Sequence, residues 1–212
     1  MKKSFYVFLL PLLLLSCSKE EDDDGLEKIT DTIVGMYECR SATIQGRLLD
    51  INGDGKVGDD MMTEFEGFEL AYQRITEEPV RIFPVKEYET DESFHIEIPK
   101  QRVDYDKRSG KYIIRGMYIG DSMYIGFEYS VDRSGKINAA PHNEGNGDDL
   151  GGEYDDMIYL IDYQGNSAKE IAFDQAGGFE AVVDCTCYDF ATDEMVTVPV
   201  RFVYERVSYS LD

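Results

Sequence analysis

The chain is predicted to be an all-β domain, a single antiparallel meander that closes into a barrel, with a β-sandwich as the alternative. Three observations carry this. Apolar and aromatic residues recur with period two, as in Phe94-His95-Ile96-Glu97-Ile98 and Met123-Tyr124-Ile125-Gly126-Phe127-Glu128-Tyr129-Ser130-Val131, which puts alternate side chains on one face of a strand. Turn signals separate the runs at 108–111, 119–122, 133–136, 163–166 and 176–178, each containing glycine. No long helical pattern interrupts them, and short strands joined by tight turns form a meander.

Taken in order, the first strand is expected over 35–44, ending before a loop rich in Asp, Asn and Gly. One short helix follows at 60–66. Asp59 or Asp60 is its N-cap, Met61, Met62 and Phe65 form its apolar side, and Gly67 stands where a C-terminal glycine belongs. Further strands are expected over 69–74, 94–98, 102–106, 112–118, 123–131, 156–162, 170–173, 180–188 and 196–209. No internal repeat at a fixed period is present, and the one weak domain boundary lies at 140–155.

Ahead of this domain, Met1-Lys2-Lys3 leads into the apolar run 5–15, a charged n-region and an h-region too short for a membrane span of about 20 residues. Leu14-Leu15-Ser16-Cys17 resembles the lipobox of bacterial lipoproteins, which implies acylation of the Cys17 thiol and cleavage that makes its amino group the new N-terminus. Several acyl chains on one residue make a stable anchor, each buried CH2 contributing about 0.8 kcal/mol. The acidic run 18–24 that follows resembles the export tag of Bacteroidetes lipoproteins displayed on the outer face of the outer membrane. It is also too polar to bury apolar surface, so a solvated tether is expected. The predicted organisation is a signal peptide at 1–16, a lipidated acidic tether at 17–30 and one β domain at 31–212.

Charge narrows the partners. The 212 residues carry 21 Lys and Arg against 43 Asp and Glu, a formal net charge of −22. Cleavage removes Lys2 and Lys3 and no acid, which takes it to −24. Nucleic acid is disfavoured, because its binding rests on neutralising phosphates with Lys and Arg. With Cys17 given to lipid, Cys39, Cys185 and Cys187 remain. Cys185 and Cys187 share a strand face and point the same way, a poor geometry for bridging each other, so the sequence favours two readings: a Cys39 bridge to one of them, or three small buried hydrophobes.

The sharpest chemical motif is Asp50-Ile51-Asn52-Gly53-Asp54-Gly55-Lys56-Val57. It reproduces the first eight positions of an EF-hand loop, with side-chain oxygens at Asp50, Asn52 and Asp54, glycine at Gly55 for the sharp turn, and the carbonyl of Lys56 as a backbone ligand. Six to eight oxygens converging on one point suit calcium. The twelfth position is Met61 rather than a bidentate Glu, and Asp59, Asp60 and Glu64 are the nearest acids. Asp60 is expected to complete the shell, with water filling the rest. The incoming Arg47-Leu48-Leu49 is strand-like, so the motif implies a structural calcium clip and no calcium-sensor fold. A second acidic loop, 142–156, lacks fixed ligand spacing and reads as a solvated rim.

Catalytic inventory is thin. The two histidines, His95 and His142, lie in no nucleophile motif, and neither G-x-S-x-G nor H-E-x-x-H occurs. Carboxylate pairs for glycoside hydrolysis are uninformative among 43 acids.

Gly35-Met36-Tyr37 opening the first strand, followed by a meander, is similar to the Gly-x-Trp start of lipocalins. The pattern over 17–68 resembles in particular the lipocalin-like lipoproteins of Bacteroidetes, where such a strand leads into a D-x-N-x-D-G loop and a short helix. The aromatic here is Tyr37, and the chain has no Trp. The resemblance implies a barrel holding a small apolar ligand in its mouth, and a basic residue near the C-terminus, Arg201 or Arg206, against Tyr37. The expected function is therefore a non-catalytic, small-molecule-binding lipoprotein on the outer membrane. The alternatives are a glycan-binding or adhesive surface module, and a hydrolase using carboxylates.

Overall fold

A computed structural model describes residues 33–65, 75, 78–83, 94–99, 101–114, 122–131, 137–141, 157–159, 168–174 and 177–211. Cys17, the tether, His142, the acidic loop at 142–156 and the expected strand at 69–74 lie outside them, and of the expected strand at 156–162 they include 157–159. Eleven strands are described: β1 (Gly35–Ile44), β2 (Val80–Ile82), β3 (Phe94–Pro99), β4 (Arg102–Asp106), β5 (Lys111–Ile114), β6 (Ser122–Val131), β7 (Ile137–Pro141), β8 (Met157–Tyr159), β9 (Ala168–Phe173), β10 (Phe179–Asp189) and β11 (Glu194–Ser208). One helix, α1 (Met61–Glu64), follows the Asp50 loop, with Asp60 as N-cap and Phe65 as C-cap. β2 and β7 are strands that the sequence pattern missed.

All described ladders are antiparallel. A five-stranded sheet in the order β2-β1-β11-β10-β9 is curled into half a barrel. A second sheet, β3-β6-β7, has β3 next to β2 and β7 next to β9. A third, β5-β4-β8, covers the outer side of the far end of β10, where Val103 and Tyr188 are buried together against Tyr112, Ile114 and Phe190.

Period two accounts for the inner face. Phe179, Ala181, Val183, Cys185 and Cys187 of β10 are buried, as are Val196, Val198, Val200, Phe202 and Tyr204 of β11. On β1 the inward set moves from Tyr37 and Cys39 to Ala42 and Ile44, because a register shift between Cys39 and Ser41 adds one residue. The β10–β11 hairpin turns without glycine: Asp193 takes φ 63°, and its N–H donates to the Asp189 carbonyl. Glycine-directed turn signals are silent there.

Aromatic rings fill the interior near the start of β1. Phe179 lies 4.6 Å from Tyr204, 5.2 Å from Tyr37 and 5.5 Å from both Phe94 and Phe173, centroid to centroid, so β3 meets β10 across the core. Toward the other end, two small voids flank Met61, Phe65 and Pro99. Each holds about 10 Å³, room for roughly one water molecule.

Register decides between the two cysteine readings. Cys39 pairs with Tyr204, and Tyr204 pairs with Phe179, six positions from Cys185. That is about 20 Å along the strand at 3.3 Å per residue, whereas bridged Cα atoms lie within roughly 7 Å. All three thiols are free and buried. Burial pushes Cys39 and Cys187 up to about 12 and drives Cys185 upward too.

Candidate metal-binding loop

The loop leaves β1 at Ile44 and is closed at its base by a two-way backbone pair, Leu49 N–H to Gly58 O at 2.9 Å and Gly58 N–H to Leu49 O at 2.8 Å. Within it, every acidic or amide side chain of the motif accepts a backbone N–H. Asp50 takes Gly53 at 2.8 Å on one oxygen and Gly55 at 3.0 Å on the other. Asn52 takes Asp54, and Asp54 takes Lys56. Such local bonds are what short polar side chains do in turns, and they coil the backbone around Asp50. Gly53 and Gly55 stand at φ 71° and 83°, where side chains are strained.

The loop is stitched to the rest of the domain by buried polar groups. Asp189, 1% exposed, accepts Asp50 N–H at 3.1 Å, Ala191 N–H at 3.1 Å, Thr192 Oγ1 at 2.8 Å and Arg47 Nη2 at 3.0 Å. Burial works to raise its carboxyl, but the Asp50 N–H, the Thr192 hydroxyl, the Ala191 N–H and the Arg47 charge prevail and hold it below the usual range. Gln101, 2% exposed, donates to the carbonyls of Ile51 at 2.7 Å and Tyr188 at 2.8 Å and accepts Tyr188 N–H at 2.7 Å. It joins the loop to β10 from the turn between β3 and β4.

Of the residues expected to hold calcium, Asp50, Asn52, Asp54 and Lys56 lie together in the loop. Asp60 instead caps α1, its two oxygens accepting Met62 N–H at 3.0 Å and Thr63 Oγ1 at 2.9 Å. The carboxylate that turns toward the loop is Glu64, 5% exposed, which accepts Ile51 N–H at 2.9 Å. Burial raises its pKa, and the nearby Asp50 and Asp54 charges add to that, against the Ile51 and Asn52 N–H groups. A Cβ at residue 58 would stand 2.7 Å from Glu64 Oε1, so Gly58 leaves room for this carboxylate.

Among the described residues, no three His, Cys, Asp or Glu side chains converge as a ready cation cage. The EF-hand scheme also draws on an amide oxygen, a carbonyl and water. In this loop Asn52 and the Lys56 carbonyl are the residues that could supply the first two. Lys56 Nζ meanwhile sits 2.9 Å from Asp54 and lowers its pKa, so a cation arriving there must displace an ammonium group.

Elsewhere, Arg206 rather than Arg201 stands by Tyr37. Tyr37 pairs with Arg206 in the β1–β11 ladder, and its hydroxyl, which donates to the Ile33 carbonyl, is pushed up to about 12 by burial against the opposing Arg206 charge. Arg201 is tied to Glu180 at the surface. His95 is exposed, its ring edge-on to Tyr124 at 5.0 Å.

Sequence patterning singles out neither Gln101 nor Asp189. Asp189-Phe190-Ala191-Thr192 has an Asp and a Thr suited to a turn, a usable signal; Gln101 has none. Comparison of the chain with protein-family models, curated proteins and solved structures found no match.

Proposed function

We propose that this chain is a surface-exposed lipoprotein, anchored in the outer membrane through acylated Cys17, whose β domain is a non-catalytic binding barrel with a calcium-clipped loop. The neighbour relations support the barrel. With β4, β5 and β8 set aside, β1, β2, β3, β6, β7, β9, β10 and β11 follow one another in chain order and return to β1. That is the order of an up-and-down meander with a side sheet built from two insertions.

The observation that carries the binding role is the gathering of the Asp50 loop, α1 and the β10–β11 turn at one end, pinned by Asp189 and Gln101. Eight-stranded barrels hold one small ligand or only side chains. Here the aromatic packing favours the second case near the start of β1, so an apolar ligand belongs at the loop end, where the one-water voids beside Met61 and Phe65 must widen to admit it. The calcium ligands in this reading are Asp50, Asn52, Asp54, the Lys56 carbonyl and Glu64.

A glycan-binding or adhesive role is favoured by one observation: a row of rings running from the side sheet to the end of β10, with Tyr105–Tyr112 at 5.3 Å, Tyr112–Tyr188 at 4.8 Å and Tyr188–Phe190 at 4.9 Å, of which Tyr105, on the side sheet, is 41% exposed. Two experiments divide these readings. Acyl labelling in the native host must be lost in Cys17→Ser, and retained label there refutes the anchor. Native mass spectrometry of purified protein should show a bound small apolar species; none, together with binding on a glycan array lost in Tyr105→Ala, selects the glycan reading.

A further inference from the structure

We propose that the end of the domain where β1 begins rests on the lipid surface, with Phe83, Val207 and Tyr209 as its contact residues. The proposal builds on the reading of Cys17 as acylated. Sixteen residue steps separate Cys17 from Ile33, roughly 22 Å root-mean-square for a solvated chain of that length, less than the length of about 30 Å that β1 spans. The chain thus enters the fold at the start of β1, and this end is the one a short anchor keeps near the bilayer.

The residues there have the right chemistry. Phe83 follows Ile82, the partner of Gly35, and Tyr209 follows Ser208, the partner of Met36, so the two rings flank the first residues of β1 on either side. Phe83 is 49% exposed, Val207 42% and Tyr209 76%. The Arg206 guanidinium lies 4.0 Å over the Tyr209 ring. An aromatic body with a polar tip, beside a cation on a long apolar stem, suits the boundary between headgroups and acyl chains. Exposure alone does not choose an end, since Leu48 and Val57 at the opposite end are 53% and 49% exposed. The entry point of the chain makes the choice. In this pose the Asp50 loop and Tyr105 face outward, beyond the nine residue steps of β1, about 30 Å.

The chain contains no Trp, so Phe83→Trp, Tyr209→Trp and Leu48→Trp each introduce a single reporter. Each acylated protein is reconstituted into phosphatidylcholine vesicles whose acyl chains carry bromine, a short-range quencher, and folding is checked by circular dichroism. The expected result is flotation with the vesicles, loss of emission and a blue shift at positions 83 and 209, and unchanged emission at 48. Flotation with equal quenching at all three positions, or with none, overturns the docking surface and leaves the anchor intact. Folded, acylated protein that does not float overturns the anchor and the surface together.

Discussion

Where β1 begins, Phe179 sits among Tyr37, Phe94, Phe173 and Tyr204, with every neighbouring ring within 5.5 Å. Where β1 ends, the polar groups Asp50, Glu64, Gln101 and Asp189 are buried beside Leu49, Ile51 and Phe65, and directed bonds to backbone N–H and C=O groups hold them. The first end gains by removing apolar surface from water, which is indifferent to pH and to cations. The second rests on charge and bond geometry, so its strength depends on protonation and on ions. One β domain thus has a passive end and a responsive one, and the responsive end carries the candidate site.

The largest effect should come from the aromatic end. Phe179→Ala removes a ring 1% exposed and is expected to cost about 4 kcal/mol in urea unfolding, since aromatic truncations leave cavities that their neighbours only partly fill. The same variant should leave the calcium response of the protein unchanged. If that response changed as well, the two ends would not be independent.

Next in size are the polar stitches. Gln101→Leu leaves the Ile51 carbonyl and both Tyr188 backbone groups without their buried partner, a loss of about 3 kcal/mol. Asp189→Asn keeps the shape but faces donors with an amide, and about 2 kcal/mol is expected. The Asp189 effect must also follow pH. Its carboxyl is held low in the folded state, so its contribution is present above the unfolded carboxyl pKa near ~4 and is lost as pH falls through the lower folded value. The stability gap between wild type and Asp189→Asn, wide at pH 7, should therefore close in acid. A gap constant down to acid pH would show that the charge is not what holds the loop.

The two ends are not equally legible in the sequence. The aromatic end follows from period two, and strands such as β4 and β6 lie where alternation puts them. The Asp50 loop is legible because its turn chemistry is local: each side chain bonds a backbone group two to five residues away. Contacts between distant residues leave no such trace. Gln101 meets Ile51 across 50 positions and Asp189 meets Asp50 across 139. Proximity in sequence favours Asp60 over Glu64 as the closing ligand. The helix reverses that order, since one turn of α1 places residue 64 back over the loop while its first N–H groups occupy Asp60. The cysteines are ambiguous in sequence for a related reason: spacing gives the face of a strand, whereas the bulge and register that separate Cys39 from Cys185 by six positions are properties of the assembled sheet.

The smallest effect, calcium, bears on the comparison most directly. Lys56 must leave Asp54 before the ion is held, which weakens binding, so an affinity in the millimolar range of extracellular sites is expected. At ten times such a dissociation constant, binding to the folded state alone adds about 1.4 kcal/mol, a rise in melting temperature of roughly 3–5 °C for a domain of this size. EDTA should abolish the rise, and magnesium, which resists giving up its waters, should not replace calcium. Glu64→Gln keeps an oxygen for the Ile51 N–H and sheds a buried charge, so without calcium it should be no less stable than wild type at pH 7. It should lose the calcium response, whereas Asp60→Asn, at the helix cap, should keep it. Loss of the response in Asp60→Asn and not in Glu64→Gln would return the closing ligand to Asp60. A melting temperature indifferent to calcium in wild type would leave the loop as a turn held by its own hydrogen bonds, with both ends of the domain passive.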